Sequence, residues 1–136
     1  MINIGFVKDR KDKEIRDEIR SLVRNTKGLA ESKVIIEAPL LTSEEIVRIS
    51  TIAAEEGASY IKTASGFEGP TTPDMVKLIR KTVGDACKIK AAGGIRDLAA
   101  VKEMMRNAEA KAAENAEEIM HHAENQCAVL HAHAEN

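Results

Sequence analysis

Aromatic residues are almost missing from this sequence: its 136 residues include one Tyr, two Phe and no Trp. A single-stranded nucleic-acid platform stacks bases on exposed rings, so that class is excluded. Charge of one sign is also lacking. The formal net charge is −2, whereas phosphate-backbone binders are clearly basic. No run of 18 apolar residues occurs, which excludes a membrane-spanning helix. Residues 1–30 contain no secretory apolar segment, so a cytoplasmic setting is expected. Cys87 and Cys127 are the only cysteines. Two are too few for a disulfide framework, and both are read as reduced thiols.

Glycine and proline are absent from the last 42 residues of the chain. All eight Gly and all three Pro precede position 95, whereas all four His follow position 120. Residues 1–106 carry 19 basic and 16 acidic side chains, and residues 107–136 carry one basic and six acidic. The chain is therefore divided at this seam into a domain over 1–106 and an Ala/Glu/His-rich helical extension over 107–136.

What remains is a regular alternation. Ile2 to Phe6 is a short apolar run and reads as a strand. A helix follows from Asp9 to about Lys27, with Ile15, Ile19, Leu22 and Val23 at helical spacing and Gly28 as its stop. Lys33-Val-Ile-Ile-Glu37 is nearly continuously apolar, like a strand covered on both faces. Thr42-Ser-Glu-Glu45 forms a capping-box signature ahead of a helix ending at Gly57. Ser59 to Thr63 is a third strand, and Pro73 opens the helix that Gly84 closes. Cys87 to Ala91 is a fourth strand, and from Asp97 nothing interrupts a helix. This order predicts a four-stranded parallel α/β sheet with right-handed crossovers, plus a long C-terminal helix. That helix carries a thin stripe at Val101, Met105, Ala108, Ala112, Ala116, Ile119, Ala123, Cys127 and Leu130.

Two lysines end strands. Lys62 lies in Tyr-Ile-Lys-Thr-Ala-Ser-Gly-Phe and Lys90 in Lys-Ile-Lys-Ala-Ala-Gly-Gly-Ile-Arg. Parallel α/β proteins gather their chemistry at the C-terminal ends of the strands. Two ammonium groups placed close together disfavour each other's protonation, and a neutral amine attacks a carbonyl to form a Schiff base. Lysines snorkelling at a sheet rim are the structural alternative. Gly93 and Gly94 precede a helix start, an arrangement that suits an anion as well as a simple tight turn.

The segments Ile2 to Gly5, Lys33 to Glu37, Ile61 to Phe67 and Lys90 to Arg96 together resemble deoxyribose-phosphate aldolase, in that order, over about residues 1–105. The resemblance implies the (β/α)4 half of a (β/α)8 barrel. It also implies a class I aldehyde-lyase that cleaves 2-deoxyribose 5-phosphate to acetaldehyde and glyceraldehyde 3-phosphate, without metal or other cofactor. Lys62 would then be the Schiff-base nucleophile and Lys90 the neighbouring cation that tunes it. Gly93 and Gly94 would help bind phosphate, with Thr63 and Gly66 lining the pocket. A phosphorylated sugar or small aldehyde is the implied substrate.

The chain also departs from that pattern. The family has three further strands before the one at Ile2 and an acidic proton-transfer residue at or before the place of Met1. It also has an eighth strand with a phosphate-binding turn, where this sequence changes at Asn107. The expectation is a folded, recombined fragment with little or no native aldol activity, whose open edges and concave face are covered either by a second copy in a homo-oligomer or by the C-terminal helix. Two other readings stand beside it. One is a structural or oligomerising designed module. The other is a metal-binding helical assembly using Glu118, His121, His122, Cys127 and His131, whose i,i+3 and i,i+4 spacings suit a transition metal.

Overall fold

A computed structural model describes residues 1–108. Three parallel strands form the sheet: β1 (Lys33–Ile35), β2 (Tyr60–Lys62) and β3 (Lys88–Lys90), in that spatial order. The helices are α1 (Ile4–Lys8), α2 (Asp12–Thr26), α3 (Ser43–Glu55), α4 (Pro73–Val83) and α5, helical from 98 to 108. A single 3-10 turn covers Ala38–Leu40. The predicted β/α alternation is present, with three strands where four were expected.

The first predicted strand is a helix instead. Asn3 accepts a hydrogen bond from the Phe6 amide at 3.3 Å, capping α1 and starting helical winding at Ile4. Only the residues before the cap keep sheet character. Ile2 is buried, and its amide donates to the Ile35 carbonyl at 3.1 Å, beside β1. A capping side chain thus outweighed the apolar run, because the helix satisfies N–H groups that one adjoining strand leaves half unpaired.

The other signals acted as read. Thr42 accepts from the Glu45 amide at 3.2 Å while the Glu45 carboxylate accepts from the Thr42 amide at 2.9 Å, completing the capping box of α3. Thr72 caps α4 ahead of Pro73. Asp97 caps α5 by accepting from the Ala100 amide at 2.8 Å. That helix runs through the compositional seam at 106/107 without a break. Within its described part the expected stripe is displaced: Met104 is buried, whereas Val101 and Met105 are exposed. They border an open apolar cavity of about 390 Å³ shared with Val76, Ile89 and Ile95. The rest of the predicted long helix, and the metal candidates Glu118, His121, His122, Cys127 and His131, lie outside the described residues.

Pleating divides the sheet into unlike faces. The register aligns Lys33, Tyr60 and Lys88, then Val34, Ile61 and Ile89, then Ile35, Lys62 and Lys90. Successive residues point to opposite faces, so the middle row faces the helices. Val34 and Ile61 are buried there with Ile15, Ile19, Ile49 and Ile79. The other two rows form an open face carrying four lysines. Cys87 is a buried thiol whose Sγ donates to the Ala58 carbonyl at 3.1 Å, and burial pushes its pKa up. No described helix is long and apolar enough to cross a membrane.

Ion pairs tie the helices together. Arg16 and Arg20 both reach Glu56, Lys8 reaches Glu45 at 2.6 Å, and Arg48 bridges Asp12 and the Val7 carbonyl. The Arg20 guanidinium first, then Arg16, holds the Glu56 carboxyl below its ordinary value; Lys8 and the Thr42 amide do the same for Glu45. Both folded-state values are depressed. Their stabilisation is therefore complete above the unfolded carboxylate pKa of about 4.3 and is lost as pH falls through the lower folded values. Urea midpoints should be flat from pH 7 to 5 and then drop. Glu56→Gln should lower the midpoint at pH 7 and shrink the acid-side drop; an unchanged pH profile in that variant would remove Glu56 from the account.

Candidate active site

The site is assembled where β2 and β3 end. Lys62 and Lys90 are register partners on adjacent parallel strands. Their Cα atoms are therefore about one strand spacing apart, roughly 4.8 Å, with side chains on the same face. Lys62 is half-buried and Lys90 exposed, so both amines border the open face. Toward the other end of that face, Tyr60 lies under two cations, with Lys33 Nζ 5.2 Å and Lys88 Nζ 5.0 Å from the ring centroid. Lys88 is held in addition by Glu31 at 2.8 Å.

Beyond the lysines the chain enters two loops that are locked together by threonines. The Thr63 and Thr71 hydroxyls lie 2.7 Å apart, so that one donates to the other, and both oxygens lie within hydrogen-bond reach of the Ala92 carbonyl. The Ala92 amide donates back to Thr63 Oγ1 at 3.0 Å, and the Thr71 amide to the Gly93 carbonyl at 3.0 Å. Thr63 is 0% exposed. It ties the two loops together from behind, through the Ala92 carbonyl and amide.

Those loops approach too closely for side chains. A Cβ on Gly93 would stand 3.2 Å from the Gly69 carbonyl oxygen, and one on Gly94 only 2.7 Å from Pro70 Cβ. Gly94 also has φ +75, a left-handed conformation that disfavours any side chain. The result is a cleft of about 420 Å³ lined by Gly66, Phe67, Gly69, Pro70, Gly94 and Arg96. Gly66 lies four residues beyond Lys62, and Gly94 four beyond Lys90. Each lysine thus leads directly into one wall of the same cleft, within the roughly 14 Å reach of four extended residues. A cleft with glycine backbone and one guanidinium suits a compact oxyanion, which backbone N–H groups and arginine both recognise.

Of the residues expected from sequence, Gly66 and Gly94 line this cleft, Gly93 packs against Gly69 and Gly66 beside it, and Lys62 and Lys90 are register partners on the strands that lead to it. Sequence reasoning passed over Phe67, Gly69 and Pro70 as cleft residues and left Arg96 unassigned. Phe67 is 92% exposed on the cleft rim. Arg96 could have been found from its place just after the Gly-Gly pair. No group of three or more potential metal ligands occurs among the described residues.

An open parallel sheet with helices on one face and lysines at its strand ends defines a partial α/β barrel of the aldolase kind. The chain is a relative of the deoxyribose-phosphate aldolases. It is 47% identical to the deoxyribose-phosphate aldolase of Geobacillus sp. (strain WCH70) over 107 residues, 78% of this chain and 48% of that protein. Among solved structures, QR15, described as an aldolase, matches with a TM-score of 0.73 and 37% identity, covering 78% of this chain and 48% of that one. A structure assigned as a deoxyribose-phosphate aldolase from Coccidioides immitis matches with a TM-score of 0.72 and 26% identity over 85% of this chain and 50% of its own. The chain thus spans about half the length of the relatives it matches. No family model matches it.

Gly94→Ala tests the loop packing. It should cost about 1–3 kcal/mol in urea unfolding, because it combines left-handed strain with a clash against Pro70. A variant as stable as the parent would show that the two loops do not close as described.

Proposed function

We propose that this chain carries the amine and anion-binding part of a Schiff-base aldolase site, acting on a small aldehyde or a phosphorylated sugar aldehyde. The register of Lys62 with Lys90 is the observation that carries this reading. The neutral Lys62 Nζ donates its lone pair to the carbonyl carbon, and the carbonyl π pair moves to oxygen, which takes up a proton. The resulting carbinolamine expels water, leaving a C=N bond to Nζ. Lys90, its register partner on the adjacent strand, is the neighbouring cation of this reading. The cleft at Gly66, Gly94 and Arg96, backed by Gly93, receives the phosphate. Full aldol turnover by the chain alone is expected to be slow or absent, because strand-end sites of this architecture draw groups from several strands. A cytoplasmic setting fits the buried Cys87 thiol, and oligomerisation would cover the outer edges of β1 and β3.

Acetaldehyde with borohydride should fix an ethyl group on Lys62, read by peptide mass spectrometry at neutral pH. Lys62→Ala should abolish that adduct, and Lys90→Met should slow it by about 10-fold or more. Absence of an adduct on Lys62 in the parent, or equal labelling of all exposed lysines, would refute the amine reading. Sedimentation equilibrium should return a mass above 14.8 kDa; a strict monomer at all concentrations would remove the oligomer.

A further inference from the structure

Resting on the anion-cleft reading above, we propose that Glu37 is a positioning residue that sets the geometry of the phosphate-binding loop, acting on anion affinity and not on the reactivity of Lys62. Glu37 follows β1 and is 1% exposed. Its backbone is left-handed, φ 52 and ψ 55, a conformation shared by only one other non-glycine residue among those described, Arg10. No lysine, arginine or histidine among the described residues forms an ion pair with it. A buried carboxylate without a cation and a strained backbone are two separate costs at one position. They coincide at the strand ends, beside the cleft.

The carboxylate is aimed at a single target. Both of its oxygens accept from the Ser65 amide, each at 3.0 Å. Ser65 in turn accepts on Oγ from the Phe67 amide at 3.4 Å, so the anchored residue organises the turn that presents Gly66 and Phe67. The same segment touches the far end of that loop: a Cβ on Gly69 would lie 3.4 Å from Pro39 Cβ. Glu37 therefore holds the loop at Ser65, and Pro39 stands beside its far end at Gly69, with room for little more than a methyl between them. The threonine network fixes the opposite wall through Ala92 and Gly93. Lys62 itself belongs to β2 and is placed by strand pairing. Loosening the loop should therefore spoil the cleft and leave the amine where it is.

The full-length chain and its Glu37→Ala, Glu37→Asp and Glu37→Gln variants would be titrated with inorganic phosphate by calorimetry. Acetaldehyde–borohydride trapping at Lys62 would be measured in parallel, and folding would be checked by circular dichroism. Gln keeps an oxygen at the right reach to accept the Ser65 N–H, whereas Asp keeps the charge but draws it back by one methylene. Glu37→Ala and Glu37→Asp should weaken phosphate binding by about 10-fold or more, and Glu37→Gln by no more than about threefold. Trapping should stay within about twofold in every folded variant. Should Glu37→Ala fail to fold, the Asp and Gln variants still decide the matter. The inference is overturned if Ala and Asp bind phosphate like the parent, or if Asp binds and Gln does not. It is also overturned if trapping falls in proportion to binding. A parent that binds no phosphate refutes the cleft itself and this inference with it. A parent that binds phosphate but gives no Lys62 adduct refutes only the amine reading.

Discussion

Parallel pairing of β2 with β3 is the constraint on which the site depends. Parallel strands need crossover connections, and here the crossover helices lie on one side of the sheet. One row of the sheet, Val34, Ile61 and Ile89, is thereby committed to the core. The two flanking rows, with Lys62 and Lys90 in register, are left on the other face. A slip of one residue would turn both lysines into the helix layer, where an unpaired ammonium is costly. The hydrophobic pattern that builds the core is thus also what aims the amines.

The loops beyond the strands solve a second problem, that of bringing two backbones close enough to wall one cleft. Glycines at 69, 93 and 94 remove the side chains that would keep them apart, and Thr63 and Thr71 spend their hydroxyls on each other and on the Ala92 carbonyl to hold them there. Buried hydroxyls are expensive when unpaired and hold their surroundings firmly when fully paired. Thr63 belongs to this machinery, which explains why a residue next to Lys62 is wholly buried. Glu37 adds a charged acceptor on the opposite side of the same loop.

Much of this was legible along the chain. The capping box at Thr42 and Glu45, Pro73 at the start of α4 and the stop at Gly84 are local signals, and the backbone obeys them. Local competition also explains the one misread element. Ile2 to Phe6 carries enough apolar side chains for a strand, yet Asn3 caps a helix whose first residue is Ile4. Apolarity alone does not separate the two outcomes over so short a run. Within the described part of α5 the tail stripe faces an open cavity, which Val101, Met105 and Ala108 line together with Met104. Val101 and Met105 fit a helical period, but it is Met104 that the helix buries, and a periodic pattern does not say which neighbour will be available to cover it.

By itself, the sequence determined the element order, the lysine-ending strands and the glycine loops, because periodicity, caps and backbone freedom act within a few residues. It also determined the kinship with deoxyribose-phosphate aldolases through those same segments. Only the tertiary structure decided that Lys62 and Lys90 are neighbours, that Thr63 faces inward, and that Glu37 grips Ser65. Positions 62 and 90, 63 and 92, and 37 and 65 are far apart along the chain. Their proximity follows from strand register and loop closure, which are set by burial summed over the whole core.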